Sequence, residues 1–326
     1  MTDRTLPPPE VPQPARGHVV GTAKGYPPPT SVGTPMPGRT AGLRPRVGPR
    51  LAAAAAAVLA LWGVWATWDT FVASESGQRV DQLALEGAAT GQGALMELAG
   101  PVLGVVSTSF VGLGLAVAVV LALARGRWWL AAQVAILVAG SNLSTQVIKV
   151  ILDRPPLLDS ARADINTLPS GHTTVAASVA AGLLIAVPRR WRPLVAVAGA
   201  AYTAATGVST LIGQWHRPSD VAAAILVVLA WSAGVCALSS PSSLDEPRRG
   251  GEPGSSTAVG LLLVGAVGTG VLAVGALGSV GGYDWGLPGG DLTAYMGGML
   301  GVVAVTLASF ALLLMVRQST ARPQGS

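Results

Sequence analysis

The chain is poor in the residues that carry most polar chemistry. Of its 326 residues one is cysteine, three are histidine and 11% are charged. Lysine occurs twice, as Lys24 and Lys149, and the other nineteen of the 21 basic residues are arginine. A single cysteine, Cys236, excludes an intramolecular disulfide and a thiolate metal cluster. There is no H-E-x-x-H and no cysteine pair, so neither a metal nor another cofactor is expected. The low charge, set against 50% hydrophobic residues and a mean hydropathy of +0.53, excludes a soluble globular domain. It places the chain among multispanning membrane proteins, with a lipid bilayer as its main surroundings. Avoidance of lysine beside abundant Ala, Gly and Pro points to a GC-rich bacterial coding sequence, and hence to the plasma (inner) membrane. The net charge of +5 is spread over termini and short loops, which argues against nucleic acid as a partner.

A bilayer core of ~30 Å takes about 20 apolar residues in a helix. Eight stretches qualify, near 51–73, 101–124, 128–151, 170–188, 193–213, 219–239, 257–281 and 293–316. Residues 1–50, rich in Pro, Gly and Thr with seven basic residues, read as a disordered cytoplasmic tail. The first span then reads as a signal anchor. Residues 74–100, with Glu75, Arg79, Asp81, Glu86 and Glu97, read as a loop or interfacial helix. Eight crossings put sixteen basic residues on one side and five on the other, which predicts both termini in the cytoplasm. That topology brings Lys149, His172 and His216 to the outward face, although they are far apart in sequence.

Three spans carry polar stripes at helical spacing: Ser141, Thr145 and Lys149; Ser170, Thr174 and Ser178; Thr203, Thr206 and Thr210. The deeper hydroxyls read as glue between helices. Lys149, an ammonium at a span end, calls for a counter-anion. The seventh span, with Gly260, Gly265, Gly268, Gly270, Gly275 and Gly278, suits close packing or a homo-oligomer surface. His18, in the tail, reads as incidental. Asp153, Asp159 and Asp164 read as solvated loop charges, and Trp215 as an interfacial anchor or part of a lipid entry.

Leu168-Pro169-Ser170-Gly171-His172 opens one span, and His216-Arg217-Pro218-Ser219-Asp220 opens another. A helix N-terminus offers free N–H groups, and Gly171 lets an anion approach them. Lys149 and nearby arginines can balance a phosphate, whose transfer needs mainly positioning and electrostatic stabilisation. For such a transfer one imidazole has to be neutral to attack phosphorus and the other protonated to give its proton to the leaving oxygen, so two histidines suit the two roles. Asp220, one turn beyond His216, fixes the tautomer.

Pro169-Ser170-Gly171-His172, and His216 with Asp220 four residues later, resemble the second and third signatures of the type 2 phosphatidic acid phosphatase (PAP2) superfamily of membrane lipid phosphatases. The resemblance covers roughly residues 100–240. It implies His216 as nucleophile, Asp220 as its partner, His172 as general acid, and Ser170 and Gly171 as phosphate ligands. The chain departs from the family pattern at two arginines. Counting from Lys149, Pro156 stands where an arginine is expected, with Arg154 two residues early; Ser209-Thr210 replaces the Ser-Arg pair of the third signature. Arg154 and Arg217 are the expected stand-ins, with Lys149 beside them.

The expected fold is therefore all-α: a polytopic membrane bundle with a six-span PAP2-like core (51–240), a cytoplasmic linker (241–256), two extra transmembrane helices (257–316) and a C-terminal tail (317–326). The resemblance implies a metal-independent lipid phosphatase. Its substrate would be a membrane lipid phosphate, such as a polyprenyl pyrophosphate or phosphate, phosphatidate or phosphatidylglycerol phosphate. The alternative is a catalytically degenerate member that binds lipid or assists membrane assembly.

Overall fold

An apolar run of about 20 residues satisfies its own backbone in lipid as a helix, and the chain is built accordingly. The computed structural model describes residues 44–90, 92–105, 108–124, 126–158, 166–245, 255–281 and 290–324. Among these are ten α-helices: α1 (Val47–Phe71), α2 (Glu75–Gly87), α3 (Gln92–Val105), α4 (Thr108–Leu123), α5 (Trp128–Ile151), α6 (Gly171–Ala186), α7 (Arg192–Ile212), α8 (Pro218–Ala237), α9 (Ser255–Gly281) and α10 (Gly290–Thr320). Six of them, α1, α5, α7, α8, α9 and α10, are long and apolar enough to cross a membrane, and α6 is a shorter apolar helix.

The boundaries correct the sequence reading in four places. The predicted tail ends early: Val47–Arg50 form the first turn of α1, while residues 1–43 lie outside the described residues. The stretch 74–100 holds α2 and the start of α3, and the span expected at 101–124 falls on two helices, α3 and α4. Part of the predicted linker is ordered, with a 3-10 turn at Pro241–Ser243, and residues 246–254 lie outside the described residues. The predicted C-terminal tail begins inside α10, which runs to Thr320, and Arg317 is buried.

The helices share two ends. At one, Arg192 grips Asp245 with two hydrogen bonds, Nη1 to Oδ2 at 2.7 Å and Nη2 to Oδ1 at 2.8 Å. Arg127 joins the same carboxylate and donates to the Ser243 and Leu244 carbonyls, while Arg317 reaches the carbonyls of Ile185 and Ser243. The loop after α8 is thereby tied to α5, α6, α7 and α10. Both described ends of the chain are here, since the Gln324 N–H donates to the Arg44 carbonyl at 2.9 Å.

At the other end the first turn of α8 is wedged between neighbours, which is possible because they present glycine. A Cβ on Gly207 of α7 would lie 2.6 Å from Val221, and one on Gly298 of α10 would lie 2.4 Å from Pro218. The α5 and α6 stripes meet as expected: Thr145 and Thr174 share a hydroxyl hydrogen bond of 2.9 Å, and Asn142 donates to Ser178. On α9, Val264, Val267, Val271 and Val274 are exposed. In a membrane such a face meets lipid tails.

Candidate active site

Three helix termini gather at the glycine-wedged end: the C-terminus of α5 with Lys149, the N-terminus of α6 with His172, and the N-terminus of α8 preceded by His216. The starts of α6 and α8 are joined directly, as the Ser170 N–H donates to the Asp220 carbonyl at 2.9 Å. Ser170 caps α6, its hydroxyl accepting from the Thr173 N–H at 3.4 Å and from the Thr173 hydroxyl at 3.0 Å. Nothing lies within 4 Å of a Cβ built on Gly171, so the space beside the first turn of α6 is open, where a helix N-terminus favours an anion.

His216 reaches its place through a turn that ends α7. Gln214 takes a left-handed conformation (φ 54) and donates from its side chain to the Leu85 carbonyl, while the N–H of Trp215 returns to the Thr210 carbonyl. The His172 and His216 ring centroids are then 6.5 Å apart, with the rings at 64°. Trp215, half exposed, leans over His172 at a centroid distance of 5.3 Å. Lys149 and His216 both act electrostatically on His172, so the lysine belongs to the same cluster.

The carboxylate of Asp220 is fully buried. Its Oδ2 lies 3.3 Å from His216 Nδ1 and accepts from the Arg217 N–H at 2.9 Å and the Thr167 hydroxyl at 2.5 Å. In the tautomer that directs the Nδ1 proton to Asp220, His216 presents the Nε2 lone pair to the opposite side of the ring.

Arg217 and Arg154 are both buried. The Arg217 guanidinium donates to Gln82 Oε1 at 3.0 and 3.3 Å and to the Thr167 hydroxyl at 3.3 Å, so these contacts turn it toward α2 and the segment before α6. Asp153 lies beside the last turn of α1, its carbonyl accepting from the Trp68 indole N–H; Asp159 and Asp164 lie outside the described residues.

Three participants were not singled out from the sequence. Thr167 carries no signal beyond its closeness to the Pro-Ser-Gly-His run. Gln82 and Asp81 sit on α2, and Asp81 accepts from Ser219 twice, Oδ1 from the N–H at 3.2 Å and Oδ2 from the hydroxyl at 2.5 Å. Burial, and then the neighbouring Asp220, push the Asp81 carboxyl up to about 7 against the pull of Ser219 and Arg217.

Residues 128–242 match the family model of the PAP2 superfamily. The chain carries a PAP2 superfamily core. That core runs from the first residue of α5 to the turn after α8, so it contains Lys149, Arg154, Ser170, Gly171, His172, His216, Arg217 and Asp220. It is narrower than the range expected from the motifs, since α1 to α4 lie outside it, as do α9 and α10. Membership of the PAP2 superfamily indicates phosphatase-type activity on phosphoesters. No curated protein and no solved structure matches the chain.

Proposed function

We propose that the protein is a metal-independent lipid phosphatase that hydrolyses a phosphomonoester or pyrophosphate of a membrane lipid at the outward face of a bacterial plasma membrane. The observation that carries this reading is the pair of imidazoles 6.5 Å apart at one end of a membrane bundle, with Asp220 on Nδ1 of the second. In the first step His216 Nε2 attacks phosphorus. The N–P bond forms, the P–O bond to the lipid breaks, and protonated His172 gives its proton to the leaving oxygen. The Asp220 carboxylate stabilises the positive charge that develops on His216. In the second step water attacks phosphorus while His172 takes its proton, the N–P bond breaks, and phosphate leaves with His216 neutral.

Lys149 and the open N-terminus of α6 at Ser170 and Gly171 supply positive potential for the phosphoryl oxygens. Buried Arg154 adds to that potential. Arg217, held by Gln82 and Thr167, acts from behind the first turn of α8. The charge asymmetry of the chain supports the outward orientation. The glycines of α9 that meet nothing within 4 Å, among them Gly260, Gly268 and Gly275, support a homo-oligomer contact through that helix.

The test is phosphate release by purified protein in detergent with a chelator, across polyprenyl pyrophosphate, phosphatidate and phosphatidylglycerol phosphate. The wild type is expected to turn over at least one of them, and His216→Ala and His172→Ala to lose turnover. Normal turnover by His216→Ala overturns the mechanism. A wild type that binds these lipids without releasing phosphate favours a degenerate, lipid-binding member, a second reading supported by the engagement of Arg217 with Gln82 and Thr167.

A further inference from the structure

The PAP2 core accounts for the histidines and Asp220, but not for a second buried carboxylate at the start of α8. Asp81 comes from α2, outside the core, and is 2% exposed. Its two oxygens take the N–H and the hydroxyl of Ser219, the residue immediately before Asp220. The carboxylate therefore caps the same turn that Asp220 caps from within, where the Arg217 N–H donates to Asp220 Oδ2. Asp81 and Ser219 also line a cavity of about 180 Å³ that is otherwise apolar apart from Thr67.

We propose that Asp81 is a positioning residue for the His216–Asp220 pair, acting through Ser219 and the first turn of α8. The inference rests on the phosphatase reading above. Held from α2, the first turn of α8 keeps Asp220 Oδ2 against His216 Nδ1, and a charged Asp81 adds negative potential where His216 becomes cationic. Both effects favour the phosphorylated histidine over the resting enzyme, so they act on turnover more than on substrate binding.

The charge of Asp81 is set by few groups. Burial and Asp220 disfavour it, while Ser219 and Arg217 favour it. From the helices packed around it, Phe71 of α1, Leu277 of α9 and Gly298 and Val302 of α10 bring no titratable group to the cavity. The carboxyl ionises at about pH 7, so the acid limb of the turnover profile contains its titration.

The experiment measures kcat and KM against pH for the wild type, Asp81→Asn, Asp81→Glu and Ser219→Ala in detergent, with thermal unfolding as a control on folding. Asp81→Asn is expected to lower kcat by about ten- to a hundredfold with KM little changed, and to lose the acid limb near pH 7. Asp81→Glu restores part of kcat together with the limb. Ser219→Ala removes a hydrogen bond that favours the charged form, so it moves the limb to higher pH; this variant decides the matter if Asp81→Asn does not fold. A wild-type kcat and an unmoved limb in Asp81→Asn and Ser219→Ala, with His216→Ala inactive, overturn the proposal and leave the phosphatase reading standing. Turnover in His216→Ala removes the reading itself.

Discussion

Gly171 separates packing from function at the level of one residue. Gly207 and Gly298 are small because a neighbouring side chain lies where their Cβ would be, whereas a Cβ on Gly171 meets nothing within 4 Å. Gly171→Ala is therefore expected to leave thermal unfolding unchanged while placing a methyl group where, under the proposed mechanism, a phosphoryl oxygen approaches the α6 N–H groups. Competitive inhibition by vanadate or phosphate should weaken by about tenfold. A fall in melting temperature with undiminished inhibition would show that the glycine serves the fold instead. The residues legible in the sequence, Lys149, His172, His216 and Asp220, were those whose chemistry is expressed within one helical turn or at a helix entrance. Asp81 and Thr167 were not legible, because each acquires its role from a contact across 138 and 53 residues respectively. Arg217 was legible as a cation beside His216, but its partner Gln82 was not.

At the level of elements, α2 shows what a polar pattern leaves unsaid. Its charges read as a loop or an interfacial helix, yet Gln78, Asp81 and Gln82 are buried against other helices. Gln78 donates to the Val72 and Pro155 carbonyls, and the Leu85 carbonyl accepts from Gln214. The buried polar residues of this short helix find partners on neighbouring segments, Gln78 on two carbonyls, Asp81 on Ser219 and Gln82 on Arg217, a pattern that hydropathy does not register. The apolar crossings themselves were legible because lipid permits few alternatives. Close approach of α2 to α10 depends on Gly87, where a Cβ would lie 2.1 Å from the Asp291 carbonyl oxygen. Gly87→Ala must push the helices apart, at a cost of about 1–3 kcal/mol, and should lower the melting temperature in detergent. Since α2 carries Asp81, kcat should fall with it. An unchanged melting temperature would mean that α2 is not seated on α10 as described.

On the scale of the whole molecule the two ends of the bundle divide the work. The histidine end leaves an open helix N-terminus and a pair of imidazoles within reach of each other, an arrangement that holds only if the helices are fixed elsewhere. The fixing is at the opposite end, where Arg127 just before α5, Arg192 of α7 and Arg317 of α10 converge on the loop after α8 and Arg127 and Arg192 pair with Asp245. Burial acts to raise the Asp245 carboxyl, but Arg192, Arg317 and Arg127 outweigh it and hold it well below the usual carboxylate range. A carboxyl whose pKa is depressed by folding contributes stability that is complete above its unfolded pKa of ~3.9 and is lost as the pH falls toward the folded value. Asp245→Asn leaves the buried arginines short of a counter-charge, so at pH 7 it should cost roughly 3–5 kcal/mol, read as a lower melting temperature in detergent. The gap between wild type and variant should stay constant from pH 8 to about pH 5 and begin to close below about pH 4, where the carboxyl of the unfolded wild-type chain takes its proton while the folded one is still charged. A gap that stays open in acid, or that closes already near neutrality, would place the lock on some other pair of groups.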